Sequence, residues 1–418
     1  MKVLAIGAAG KMGKAVVSYL ASDPAVETVG LLDLQENALR SLVKGHDTGK
    51  FQCHALDIRS IEGVRETMKQ YDVGVSTLPN RKLSYQVMEA AIDARLDLVD
   101  ILEEYHRRPD NYQTEGFVVP EEYRDSQEYG ESLHEKALQN DVLILDGMGF
   151  APGLSNITSA HGIDQLDRAE QVIARVGGIP NIECCAKHPL RYMTTWSLEH
   201  VLREYSIKTQ ILKDGRPTEV HALYDEETFQ FNEFGLDEKL ECAVTPGMPS
   251  FIHTHPELQY FAEKTVRWPG HYQGVRTLIE CGLFDENPLE IDGAKISPRK
   301  FLLSIINPLL VPQEGDGDVC VMYNTVTGVR DNQPHKFEYY MWETADPQFS
   351  AMARVTSFPA AIGAKLVGLG RVDLKGIRAP EECIHGENYT WFMEELQDRN
   401  ITIREKSVPL GEKELHPA

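Results

Sequence analysis

Short apolar runs alternate with amphipathic stretches through the first 150 residues. The runs at 2–6, 27–32, 51–55, 73–77, 96–100 and 142–146 predict strands. Between them, Met12, Val16, Val17 and Leu20 recur at helical spacing, and Leu83 to Ala94 is a second helical stretch. Strands alternating with helices predict a parallel sheet covered on both faces. From Gln171 the pattern changes: strand-like runs at 218–223, 239–244, 318–327 and 336–343 surround helices at 197–205 and 298–306. Asp214-Gly215 and Asp292-Gly293 predict hairpin turns, Ser297-Pro298 predicts a helix start, and Ser197 is placed to cap the other helix. Helical pattern returns at Ala360 to Gly368 and Tyr389 to Asp398. The fold class expected is α/β: an N-terminal doubly wound parallel sheet, then an α+β domain of mainly antiparallel sheet.

The segment from His106 to Glu135 breaks the pattern, with eight acidic residues against three arginines. It reads as an exposed surface excursion before a helix over Ser132 to Gln139. The 418-residue chain is 42% hydrophobic and 25% charged, as a globular protein of two or three domains should be. Its net charge of −22 argues against nucleic acid and anionic membrane surfaces as partners. No apolar run approaches the roughly 20 residues of a membrane span, and the apolar start reads as a strand, not a leader. Seven irregularly spaced cysteines fit reduced thiols in the cytoplasm. Cys184, Cys185 and His188 lack the paired spacing of a zinc site, so no metal is expected.

The chemistry begins at the first strand end. Gly7-Ala8-Ala9-Gly10-Lys11-Met12-Gly13 follows an apolar run, and Asp33 lies twenty residues beyond Gly13. This is the dinucleotide-binding pattern of a Rossmann-like domain. Gly7 turns the chain, Gly10 clears room for a pyrophosphate, and Gly13 lets the next helix pack closely. The helix N-terminus offers N–H donors to phosphate. Asp33 would accept from ribose hydroxyls and repel a 2′-phosphate, and Leu34, Gln35 and Glu36 supply no cation. NAD is therefore expected in preference to NADP. At the carboxyl edge of such a sheet, Asp57-Ile58, Ser76-Thr77-Leu78-Pro79 and Asp100 are further candidates. Gly147 to Asn156, after the strand ending in Asp146, reads either as a wall of the nicotinamide pocket or as a domain connection.

Two later segments gather ligand-binding side chains. Thr195-Trp196-Ser197 precedes a helix, and Glu263-Lys264-Thr265-Val266-Arg267-Trp268-Pro269-Gly270-His271-Tyr272 surrounds a Pro-Gly turn. Arg267 would clamp a carboxylate, Trp268 or Tyr272 would wall an aliphatic chain, and His271 would bind substrate or pass a proton.

With these motifs the chain resembles the saccharopine dehydrogenase-like family, most of all its lysine 6-dehydrogenase branch. The resemblance rests on the glycine turn, Gly149-Phe150-Ala151-Pro152-Gly153-Leu154-Ser155-Asn156, Val176-Gly177-Gly178-Ile179-Pro180, Thr195-Trp196-Ser197 with Glu204-Tyr205, Lys264 to His271, and Phe358-Pro359-Ala360-Ala361. It implies a nucleotide domain over 1–150 to which helices of about 355–400 return, and a substrate and dimerisation domain over 151–350. It implies a homodimer that oxidises a C–N bond of a small amino-acid substrate. Gly7, Ala9, Gly10, Lys11, Met12, Gly13, Asp33, Asp57, Ile58 and Ser76 to Pro79 would line the cofactor. Thr195, Trp196, Ser197, Arg267, Trp268, His271 and Tyr272 would line the substrate, with Arg267 on the α-carboxylate and His271 or Asp100 handling protons. Saccharopine-cleaving relatives typically carry Asp-Pro-Gly where this chain has Ala151-Pro152-Gly153, which favours a free diamino acid. The expected reaction is NAD-dependent oxidative deamination of the terminal amine of L-lysine or a relative. The alternatives are a saccharopine-type enzyme acting on a secondary amine and an NAD-binding sensor without turnover.

Overall fold

The structure, a computed structural model, describes residues 1–44, 48–109 and 117–411. They form two compact units. The first comprises Met1–Asp164, Met248–His255 and Ala353–Ile401; the second comprises Gln165–Gly247, Pro256–Met352 and the chain from Thr402.

The first unit is built on a seven-stranded sheet. Its order is Gly376–Arg378, Leu143–Leu145, Asp97–Asp100, Val73–Ser76, Lys2–Ile6, Thr28–Asp33 and Phe51–Ala55, every neighbouring pair parallel. Val3 to Ile6, Leu98, Val99 and Leu143 to Leu145 have no exposed surface, as strands covered on both faces require. Strand order reverses beside Lys2–Ile6, where Ile6 pairs with Leu32 on one side and Ser76 on the other. Such a switch point is where doubly wound sheets take ligands. The six expected strands are present; Gly376–Arg378 is a seventh, too short to stand out as a pattern.

The surface excursion is corrected in part. Residues 110–116 lie outside the described residues, but Phe117 stacks on Tyr85 at 4.3 Å between ring centroids and on Tyr129 at 5.5 Å. Val119 and Tyr123 pack against the same core, and the helix starts at Ser126, six residues earlier than expected. Aromatic burial overrides the acidic composition there, and Asp125 caps the helix through the Glu128 N–H at 2.9 Å.

The second unit holds a nine-stranded sheet. Its central strands are Tyr260–Arg267, Arg168–Pro180, Asp318–Arg330 and Gln333–Thr344. Tyr260–Arg267 and Arg168–Pro180 run parallel and the other pairs are antiparallel. Both Asp-Gly hairpins form, with positive φ at Asp214, Gly215, Asp292 and Gly293. Ser197 does precede the Leu198–Glu204 helix, yet its hydroxyl pairs with His200 Nδ1 at 2.7 Å and caps no backbone N–H. The helix expected from Ala360 begins at Ala351 and runs on through Pro359.

Candidate functional site

In the first unit, Gly7 adopts φ +78° where the strand turns, and a Cβ there would lie 2.9 Å from Thr77 Oγ1. A Cβ on Gly13 would lie 2.1 Å from the Gly7 carbonyl oxygen, so the Lys11–Ser22 helix packs on the turn only with glycine at this position. A Cβ on Gly10 would lie 3.2 Å from the Gly7 carbonyl oxygen, a tight contact but much milder than the one at Gly13. The helix has no acidic residue in its first turn, and Lys14 donates its first bond, to the Gly10 carbonyl at 3.0 Å. The N–H groups of Met12 and Gly13 precede that bond and lie at the positive end of the helix. Asp33 Oδ2 accepts from Ala9 N–H at 3.0 Å and Oδ1 from Gln35 N–H at 3.1 Å, fixing the carboxylate beside the turn. These features fit a dinucleotide: a backbone turn without side chains at Gly7 and Gly10, aligned donors and an anchored acid. Nearby, Thr77 and Leu78 are half-buried, Ser76 and Ile58 are buried, and Pro79 is exposed. Asp57 pairs with Arg59 at 2.5 Å, which lowers its pKa to about 2.

Asp100 is fully buried at the same sheet edge and belongs to a polar chain. Its Oδ2 accepts from Ser84 Oγ at 2.9 Å, Ser84 Oγ lies 2.9 Å from His106 Nε2, and His106 Nδ1 donates to Asp146 Oδ1 at 2.7 Å. Burial opposes the imidazolium, but the carboxylates of Asp146, Glu104 and Asp100 outweigh it and raise the His106 pKa to about 9. Protonated His106 therefore donates to Asp146 on one side and Ser84 on the other. Burial raises the pKa of Asp100 against the pull of His106. Ser84, His106 and Asp146 escaped notice in the sequence, for nothing in their spacing announces contact.

In the second unit, Arg267 is 3% exposed. Its Nε donates to Tyr205 Oη at 2.8 Å and its Nη1 to the Val266 carbonyl at 2.8 Å, while its guanidinium lies 5.0 Å from the Tyr192 ring centroid. Tyr205 Oη in turn lies 3.0 Å from His271 Nε2, and His271 Nδ1 lies 2.9 Å from the Leu190 carbonyl. A carbonyl only accepts, so Nδ1 carries the proton and Nε2 accepts from Tyr205. Burial and the nearby guanidinium lower the His271 pKa to about 3. His271 is thus a neutral acceptor that fixes Tyr205. Among the described residues no carboxylate forms an ion pair with Arg267.

Of the other expected substrate residues, Thr195 is buried against Gly178, where a Cβ would lie 2.9 Å from its Oγ1. Trp196 is 37% exposed and stacks on His200. Trp268 and Tyr272 sit in apolar clusters; the indole N–H reaches the Pro180 carbonyl at 2.8 Å and the phenol the Thr265 carbonyl at 2.5 Å. Glu263 opens the same stretch but received no role from the sequence, although strand alternation puts it with Thr265 and Arg267 on one face. Among the described residues one group, Glu131, His134 and Glu135, has metal-ligand spacing. Both Glu131 oxygens accept from Arg107, and His134 Nδ1 accepts from Ile377 N–H.

Residues 149–401 match the saccharopine dehydrogenase C-terminal domain. The chain belongs to the saccharopine dehydrogenase family. Residues 3–142 match the saccharopine dehydrogenase NADP binding domain. The family comprises oxidoreductases acting on CH–NH donors. The chain is 20% identical over 424 residues to saccharopine dehydrogenase (NADP(+), L-glutamate-forming) of Saccharomyces cerevisiae, covering 85% of this chain and 88% of the relative. It is 21% identical over 482 residues to bovine mitochondrial alpha-aminoadipic semialdehyde synthase, covering 97% of this chain and 48% of that protein. The chain therefore spans about half the length of the bovine relative. The solved apo saccharopine dehydrogenase (L-Glu forming) of S. cerevisiae shares the fold, with TM-score 0.78, 19% identity and coverage of 97% of this chain and 99% of that one. The expectation of NAD meets a family domain and a yeast relative named for NADP, and a nicotinamide nucleotide is what they have in common. Among the described residues no helix is long and apolar enough to cross a membrane.

Proposed function

We propose that this family member oxidatively deaminates the terminal amine of L-lysine or a related basic amino acid, in the manner of the lysine 6-dehydrogenase branch. The first unit carries the nucleotide and the second the substrate. The observation that carries the reading is Arg267, a buried guanidinium with no ion-pair partner among the described residues, held by Tyr205 and two carbonyls. Such a group is suited to an α-carboxylate. When bound, the nicotinamide nucleotide supplies the hydride acceptor. The substrate imine left behind adds water and releases ammonia. Arg267 holds the carboxylate, His271 orients Tyr205, the Thr195–Ser197 segment borders the aliphatic chain, and Asp100 handles protons. Asp33, anchored by backbone N–H groups, favours NAD.

A panel of diamino and monoamino acids, assayed with NAD and NADP side by side, tests this reading. Lysine or a close homologue should reduce NAD and release stoichiometric ammonia. The second reading, a saccharopine-type enzyme, is favoured by the names of the relatives and opposed by Ala151. If it holds in the L-glutamate-forming direction named for the yeast relative, lysine alone is inert, saccharopine is oxidised with release of glutamate, and glutamate with the semialdehyde of 2-aminoadipate consumes the reduced cofactor. Tight NAD binding without turnover of any amine would point to a sensor.

We also propose a cytoplasmic homodimer. Phe301, Ile305 and Leu309, exposed by 50%, 49% and 53%, recur every four residues along the Pro298–Leu310 helix as an apolar stripe. Light scattering should give a dimer, and Phe301→Glu should give a monomer.

A further inference from the structure

The Tyr260–Arg267 strand carries a second buried ionisable group on the face that presents Arg267. Glu263 and Arg267 are four positions apart and therefore point to the same side of the sheet. Glu263 is 4% exposed. Its Oε2 accepts from Thr245 Oγ1 at 2.8 Å, and Thr245 Oγ1 is itself 2.5 Å from Thr265 Oγ1. The other carboxyl oxygen, Oε1, has no hydrogen-bond donor and no cation among the described residues. The backbone of Gly247 closes against the carboxyl, where a Cβ would lie 2.6 Å from Glu263 Cδ. A buried carboxyl held by one neutral hydroxyl, with no cation paired to it among the described residues, leaves room for a stronger donor. Glu204 lies close enough to disfavour charge on Glu263, and Arg267 close enough to favour it.

We propose that Glu263 receives an ammonium group of the amino-acid substrate whose carboxylate is taken by Arg267. One strand face then presents both an anionic and a cationic pole, and the ligand class is a zwitterionic amino acid, not a simple amine or a keto acid. The assignment rests on the amino-acid reading above and adds a specificity residue to it. Burial, reinforced by Glu204, raises the Glu263 carboxyl well above the usual range, and an ammonium held against it pulls it back down, so binding favours the ionised form. The proton released on binding is a signature that a merely structural carboxyl would not give.

The test is calorimetric titration of the full chain, saturated with reduced cofactor to prevent turnover, in wild type and Glu263→Gln. Three ligands are compared: L-lysine, L-norleucine without the terminal amine, and 6-aminohexanoate without the α-amine. Glu263→Gln should weaken lysine at least tenfold and should leave unchanged the analogue lacking the contacted ammonium; which analogue that is identifies the amine. Titration in two buffers of different ionisation enthalpy should show a proton released on lysine binding to wild type and none with the variant. Equal weakening of all three ligands, unchanged affinity for all three, or no binding by wild type overturns the assignment. If lysine is bound with this discrimination yet never oxidised, the deamination reading falls and the assignment stands. If lysine is oxidised and Glu263→Gln leaves KM unchanged, the reverse holds.

Discussion

Tyr205 joins a charge to an imidazole, and removing its hydroxyl exposes the cost of that link. In Tyr205→Phe the ring remains, but Arg267 Nε–H and His271 Nε2 both lose their partner, at 2.8 and 3.0 Å respectively. Both groups are buried, with Arg267 3% and His271 1% exposed, so water does not replace the hydroxyl without rearrangement. An orphaned charged donor and an orphaned neutral acceptor each cost about 1–3 kcal/mol. Together they predict a loss of about 2–6 kcal/mol, or about 4–24 °C in the unfolding midpoint of a unit this size. Differential scanning calorimetry on wild type, Tyr205→Phe, His271→Phe and the double variant measures it. Since the double variant removes the orphaned imidazole as well, its loss should fall short of the sum of the singles by about 1 kcal/mol or more. KM for the amino acid should rise with Tyr205→Phe, because Nε–H no longer fixes the guanidinium plane. A midpoint shift below about 2 °C, or strict additivity, would refute the linked arrangement.

Three further outcomes are expected. Gly13→Ala forces a Cβ to 2.1 Å from the Gly7 carbonyl and should cost about 1–3 kcal/mol with at least tenfold weaker nucleotide binding by fluorescence; Gly10→Ala, with a tight but milder contact at 3.2 Å, should cost clearly less stability while still weakening nucleotide binding, and equal stability losses would contradict this division. The raised pKa of His106 makes its contribution to stability complete below pH about 6.5 and lost as pH climbs through about 9. Denaturation curves should therefore show about 3 kcal/mol less stability above that window, and His106→Gln should abolish the slope. For turnover, the terminal amine must be neutral, so kcat/KM should rise about tenfold per pH unit toward pH about 10; a plateau extending down to pH 6 would count against an unaided amine.

How far the molecule was legible in the sequence follows from the range of each interaction. The parallel strands declare themselves as unbroken apolar runs, and the glycine turn and Asp33 carry local spacing that the structure brings together at 3.0 Å between Ala9 N and Asp33 Oδ2. Gly376–Arg378 is three residues long and joins the sheet only through Leu143–Leu145, so no local pattern marks it. The helix expected from Ala360 begins nine residues earlier, at Ala351, and passes through Pro359. Phe117 and Tyr123 sit among charges in sequence but pack against Tyr85 and Tyr129 in space. Arg267 and His271 were legible as a cluster, whereas Tyr205, which joins them, comes from 62 and 66 residues away. Trp268 and Tyr272 shared the motif but went to the core, because alternation and the helical turn point them elsewhere.

The case for a ligand at Arg267 gains force from its neighbours on the same strand. Lys264 is 1% exposed and donates to Asp225 Oδ2 at 2.7 Å. Across the register, Arg175 is 8% exposed and donates to Glu227 Oε1 at 2.8 Å, with its guanidinium 5.1 Å from the Tyr323 ring centroid. Both cations therefore have a carboxylate, as buried charges held only for structure require. The opposite face carries Arg267 and Glu263, a cation and an acid four residues apart that form no ion pair with each other. Structural need alone would pair them or replace them with apolar side chains, since an uncompensated buried charge costs several kcal/mol. A strand that gives Lys264 and Arg175 their carboxylates on one face and leaves Arg267 without one on the other is arranged for a ligand that brings the missing anion.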